Sequence, residues 1–400
     1  MAIKSHSCNC QSPAEPHREA KRVVTLVHGT FARHADWIQN GQALPRALTE
    51  EVGGTVLDRF CWSGKNRHTS RLKAGDDLRK HLVELVSAFK HAGATADHHV
   101  IAHSHGGNAA LYALRERGDD DDALLADVKL ITLATPFLFM RERPLPRWLF
   151  FILPLYLLIF ALIMNPDGPE VINILVIAWA CLGILAFPLS LIIYRTGRSS
   201  PAPGFMDLLK GKATLDEEKV ITVPEIDPDR LYVIRGLGDE AAGSLGAAQL
   251  GNWVMTRLVN AFSNWVPLLF WTVIGGIVLS IIVTWINEWI GGGVNLDELM
   301  ETVLGYGIGG LIIGPLVALP VIAGFVALSN LPFGADSLFW NYHAQTTAEA
   351  SPLGASRVLV VGTRQFRYDK LSHGVYEDRE AIKAIITRLE SGSDTGADTG

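Results

Sequence analysis

Along its polar stretches the chain alternates β-branched runs with residues spaced for one face of a helix. "RVVTLVHG" (Arg22–Gly29) is an apolar run closed by glycine, and "GTVLDRFCW" (Gly54–Trp62) is a second. Leu78, Leu82, Leu85, Val86 and Phe89 then recur at helical spacing. "HHVIAHS" predicts a buried strand, "NAALYALRER" the helix behind it, and "VKLITLATP" (Val128–Pro136) a further strand. Two strand-like runs come late, "RLYVIRG" (Arg230–Gly236) and "SRVLVVG" (Ser356–Gly362), and the helical pattern "DREAIKAIITRLE" follows them. Strands alternating with helices predict a mostly parallel sheet covered on both faces. The expected fold class is α/β.

Four blocks interrupt this pattern. Trp148–Met164, Val171–Tyr194, Trp265–Ile286 and Thr302–Ala335 contain no Asp, Glu, Lys or Arg. A helical membrane span needs about 20 apolar residues, and each block is flanked by Trp or Tyr and interrupted by Pro or Gly. They are expected to form two transmembrane helical hairpins inserted between late strands of the sheet, since an even number of spans returns the chain to the same side. The expected organisation is a disordered segment over 1–21, the core over 22–146, one hairpin over 147–195, core again over 196–262, a second hairpin over 263–335, the last part of the core over 336–390, and a disordered tail over 391–400. Arg141, Arg143, Arg147, Arg195, Arg198 and Arg257 flank the blocks on the sheet side, whereas the tips "NPDGPE" and "NEWIGGGVNLDELME" carry only acidic charge. The expectation is therefore a multi-pass integral membrane protein with the lipid bilayer as partner and the sheet on the cytoplasmic side.

Composition agrees with the blocks: charged residues are 19% of the chain, below the usual quarter, and mean hydropathy is +0.22. A net charge of −6, without a basic aromatic-interleaved stretch, argues against a nucleic-acid partner. Cys8, Cys10, Cys61 and Cys181 suggest no disulfide framework. The spacing of His6, Cys8, Cys10 and His17 fits no strong zinc pattern, so no metal is expected. "RGDDDDALL" lacks the spaced glycine of a calcium loop and reads as a solvated turn. "FCWSGKNRHTSRLKAGDDL", with Ser63, Arg67 and Arg71, reads as a loop anchoring the next helix.

The candidate chemistry centres on "VIAHSHGGNAALYAL" (Val100–Leu114). Ser104 lies between a predicted strand and a predicted helix, with the small residues Ala102 and Gly106 two positions to either side. A nucleophilic serine on such a bend follows the pattern G-x-S-x-G, here with alanine first. Serine needs a base, and the tetrahedral intermediate needs hydrogen-bond donors. The N–H of His105 at the helix start is one candidate donor; "LVHGTF" supplies the other, the N–H of Thr30 after Gly29. An acid and then a histidine should follow the serine in chain order. Asp239 comes just after the strand ending at Gly236, with Glu240 as runner-up. Of the 13 histidines, only His343 and His373 come after Asp239, and His373 falls between the last strand and the last helix. His28, His103 and His105 are read as pocket or packing residues.

Through "LVHGTF", "VIAHSHGG" and "LITLATPF", about half of the chain resembles the α/β-hydrolase family, particularly its lipase and esterase branch. The resemblance implies a core that lacks the first two strands of larger members. It also implies Ser104 as nucleophile, His373 as base, Asp239 as orienting acid, and the Thr30 and His105 amides as an oxyanion hole, with no cofactor. "ATPF" lacks the histidine that many lipases carry after that proline. The expected activity is hydrolysis of carboxylic esters, the acyl-ester substrate being a lipid or lipid-like. Three rivals stand beside it: thioester or amide cleavage on lipidated partners, a non-catalytic membrane-binding module on a hydrolase scaffold, and a transporter. Oligomeric state stays open.

Overall fold

Six apolar runs align in one parallel sheet in the order β2-β1-β3-β4-β6-β8. The strands are β1 (Arg22–Val27), β2 (Thr55–Phe60), β3 (Asp97–His103), β4 (Lys129–Leu133), β6 (Leu231–Gly236) and β8 (Val358–Val361). A separate antiparallel ribbon pairs β5 (Phe137–Glu142) with β7 (Ala344–Glu349). The structure, a computed structural model, describes residues 13–32, 35–142, 226–237, 243–254, 331–336, 344–349, 351–352, 357–362 and 374–391, with isolated positions at 257, 282, 285, 286 and 289.

The side-chain alternation of the strands explains the layers. Val24, Leu26, Ile101, Ile131, Leu133 and Ile234 face α1 (Ala43–Glu50) and the last helix, α5 (Arg379–Ser391). Val27, Phe60, Val100, Ala102, Leu130 and Val233 face the opposite layer of α2 (His68–His91) and α3 (His105–Ala113). Burying each large apolar side chain contributes about 1.5–3 kcal/mol. The result is an α/β fold with helices on both faces of a parallel sheet, as the strand–helix alternation predicts. The helix α1 escapes sequence reading because only Leu44, Pro45, Ala47 and Leu48 mark its buried face over eight residues. A short helix, α4 (Asp121–Leu125), follows the acidic run.

That run is held by one cation. Arg79, with a side chain 5% exposed, donates to both Asp119 and Asp122. Asp122 also accepts the N–H groups of Arg117 and Gly118 at 2.8 and 2.7 Å. Burial alone would raise the Asp122 carboxyl, but the bonds from Arg79 and the two amides bring it down to about 2.

Two sequence expectations are corrected. Among the described residues, no helix is long and apolar enough to cross a membrane, so the inserted transmembrane hairpins at 147–195 and 263–335 are not supported. The expected multi-pass localisation, with a cytoplasmic sheet, falls with them. The first two apolar blocks lie outside the described residues, as does most of the other two. Of the fourth block only residues 331–335 are described. Leu331–Phe333 is a 3-10 turn rather than an α-helix, and Phe333 is buried. The backbone carbonyls of Leu331 and Pro332 accept from Asn66 Nδ2, and that of Phe333 accepts from Arg71. The turn is thus tied to the start of α2 through its backbone carbonyls. The second correction is chemical: Cys61 is disulfide-bonded, while the other three cysteines lie outside the described residues.

The start of α2 is capped from a distance. Arg67, at the N-cap position, makes no capping bond. Asp336 instead accepts the His68 and Thr69 N–H groups at 2.8 and 3.0 Å. Beside it the Arg71 guanidinium is fully buried; burial lowers it to about 10 against the opposing pull of Asp336.

Candidate active site

Strand order places the site. From β1 the chain passes to β2 on one side and then returns to β3 on the other, so the order reverses between β1 and β3. Ligands of open α/β sheets bind at such a switch point, outside the carboxyl ends of the strands. The register brings those ends to one rim, with Val27 beside Ala102, His103 beside Leu133, Leu133 beside Ile234, and Gly236 beside Val361.

Ser104 sits on this rim, between β3 and α3. Its backbone has φ 53° and ψ −134°, a left-handed conformation that is costly for any residue with a Cβ. Three constraints hold it there. The Ser104 N–H donates to Leu133 O at 2.8 Å and Ser104 O accepts from the Gly107 N–H at 2.9 Å, while α3 begins at the next residue. Ser104 is 7% exposed.

The small neighbours of Ser104 have clear jobs, though not all those the motif suggests. A Cβ on Gly106 would lie 2.4 Å from His28 O and 3.0 Å from Val27 O. The crowding partner is therefore the end of β1, not the incoming β3. A Cβ on Gly107 would meet the Thr135 side chain at 2.1 Å. A Cβ on Gly29 would lie 2.9 Å from Ser104 Cβ, so the "HGT" loop passes directly against the serine.

Of the two candidate oxyanion donors, Thr30 follows Gly29 on this close loop, and His105 opens α3. Phe31, next to Thr30, has φ 58° and is 85% exposed. Its N–H donates to Gly64 O at 2.7 Å.

Asp239, its runner-up Glu240, and the histidines 343 and 373 lie outside the described residues. The chain on either side of two of them is described. Leu237 leaves β6 with its N–H donating to Val361 O at 2.9 Å, two residues before Asp239. Gly374, directly after His373, leads into the turn Val375–Glu377. The Tyr376 ring of that turn meets His103 edge-on at 4.9 Å and stacks on Trp37 at 5.1 Å. The chain that follows His373 therefore packs against the residue preceding Ser104. Burial, and then the carboxylates of Glu377 and Asp36, raise the Tyr376 phenol above its usual value.

Three residues that sequence reading missed build the surroundings. Trp62 stacks on His28, with ring centres 5.7 Å apart and planes at 10°. Asn108 is buried; its Nδ2 donates to Pro136 O at 2.8 Å, tying α3 to the chain leaving β4. Tyr376 closes the side beyond His103. A Trp ending a strand and an Asn one helical turn after the serine were the available signals, but neither residue type carries a motif. No protein-family model matches the chain, and no curated protein matches it.

Proposed function

We propose that the protein is a serine hydrolase of the α/β-hydrolase type that cleaves carboxylic esters. The observation that carries this reading is the backbone of Ser104: a buried serine held left-handed at the carboxyl end of a central parallel strand, at the switch point of the sheet. Strain of this kind persists only where the surroundings enforce it, and it gathers at functional sites. The resemblance noted in the sequence gives the same residue the nucleophile's role.

In the proposed reaction Ser104 Oγ attacks the ester carbonyl carbon while His373 takes the hydroxyl proton. The Thr30 and His105 amides stabilise the oxyanion, and Asp239 orients the imidazole. The alcohol leaves with the proton from His373, giving an acyl-enzyme. Water attacks that acyl group by the same route and releases the carboxylic acid. No cofactor or metal is needed. Support for bringing His373 to the rim comes from Tyr376, three residues on, packed against His103. An apolar acyl ester is the favoured substrate, because the exposed Phe31 flanks the candidate oxyanion donor and an apolar chain would cover it.

The test uses a fluorophosphonate probe on the full chain, followed by p-nitrophenyl esters of increasing acyl length. Labelling and turnover by wild type, both lost in Ser104→Ala, are the expected results. Equal labelling of the two proteins, or none of either, would overturn the assignment.

A further inference from the structure

We infer that His28 is a positioning residue that fixes the Gly29–Thr30 peptide so that the Thr30 N–H faces the reacting oxygen. This rests on the proposed Ser104 chemistry and adds the device that holds its oxyanion hole open.

The peptide unit is planar, so the Gly29 carbonyl and the Thr30 N–H point in opposite directions from one rigid plate. Whatever grips the carbonyl aims the amide. His28 Nδ1 lies 2.8 Å from Gly29 O. Its other ring nitrogen decides the proton's place. The Trp62 backbone N–H donates to His28 Nε2 at 3.1 Å, and a backbone amide can only donate. Nε2 therefore holds the lone pair, Nδ1 carries the hydrogen, and Nδ1–H donates to Gly29 O.

The ring is itself immobilised. His28 is 0% exposed, and the Trp62 indole lies parallel to it at 5.7 Å. Trp62 Nε1 also donates to His28 O at 2.7 Å. The peptides before and after Gly29 are thus both pinned by their carbonyls, one by the indole and one by the imidazole.

Glycine makes this grip necessary. Position 29 excludes a Cβ, which would lie 2.9 Å from Ser104 Cβ. Glycine, however, leaves its flanking peptides free to turn. A rotated Gly29–Thr30 plate would present a carbonyl oxygen to the developing oxyanion in place of a donor. With both its nitrogens engaged and no solvent exposure, His28 stays out of proton transfer and acts through Thr30.

Paired substitutions separate positioning from packing. In His28→Asn the side-chain NH₂ stands near the Nδ1 position and can still donate to Gly29 O. In His28→Gln the amide reaches toward the Nε2 position, keeping an acceptor for Trp62 but no donor for Gly29. On p-nitrophenyl butyrate, His28→Gln is expected to lose about 10²–10³-fold in kcat, the loss typical of one oxyanion donor, with KM changed less than about threefold. His28→Asn should recover at least about tenfold of that loss at a similar thermal midpoint. Equal kcat in the two variants, or kcat tracking the midpoint alone, would overturn the inference.

Nitrogen-15 NMR of the wild-type histidines gives a variant-free check. The Nδ1–H tautomer is expected for His28, and an Nε2–H tautomer would overturn the inference. Wild-type protein without Ser104-dependent turnover would sink the hydrolase reading and this inference together. Turnover that His28→Gln leaves intact would sink this inference alone.

Discussion

The strain at Ser104 is the most local feature with a measurable cost. A residue with a Cβ at φ 53° and ψ −134° is disfavoured by about 1–3 kcal/mol relative to an unstrained site, and glycine escapes most of that. Ser104→Gly is therefore expected to be more stable than Ser104→Ala by about 1 kcal/mol or more. Urea denaturation of the two variants measures the difference, and identical midpoints would mean that no strain is held there. At this scale the sequence was legible where chemistry demands small residues. Gly29 and Gly106 stand out because a Cβ at either would crowd its neighbours. Their exact neighbours were not legible: Gly106 avoids the carbonyls of β1, a contact that only the strand order creates. Trp62 and Tyr376 were invisible for the same reason, since each reaches the rim through tertiary packing and not through a local pattern.

Among the elements, β3 carries a second tension below its serine. His99 is 1% exposed, and neither ring nitrogen has a hydrogen-bond partner. Burial, followed by the charges of Lys129, Arg22, Arg388 and His98, lowers it from 6.5 to about 3. The folded protein thus holds this imidazole neutral, while the unfolded chain takes up a proton once pH falls below about 6.5. Stability must drop across that window, from about pH 6.5 down to about pH 3, by up to about 1.4 kcal/mol per unit. His99→Leu should remove this share. The stability lost between pH 7.5 and pH 5 should shrink by about 2 kcal/mol in denaturation curves at the two pH values, and an unchanged loss would show that His99 does not titrate this way. The strands themselves were legible because a parallel sheet buried on both faces writes continuous apolar runs. The ribbon of β5 and β7 was not: its partners are far apart in sequence, and its pairing leaves no periodicity in either strand alone. At its described end one apolar block departs from a membrane helix: the charge-free Leu331–Phe333 forms a 3-10 turn with Phe333 buried.

Across the whole molecule, distant segments complete one another's local structure. Asp336 supplies the cap that α2 lacks, 268 positions from His68, and it offsets the buried charge of Arg71. Ala at 336 should cost about 2 kcal/mol or more, combining a lost cap with a cation left without its counter-charge. Asn should cost less, because it still accepts from the helix amides. Urea midpoints order the three proteins, and Asn as damaging as Ala would show that the charge on Asp336, not its capping, dominates. A still longer link joins β1 to α5: the guanidinium of Arg22 donates to Leu389 O at 2.9 Å across 367 positions. During synthesis at about 5–20 residues per second, β1 waits roughly 20–70 s for that carbonyl to emerge. In the meantime β4 presents a bare edge until β6 is made. A ribosome-bound chain thus offers a half-zipped sheet to whatever chaperone or neighbouring nascent strand reaches it first.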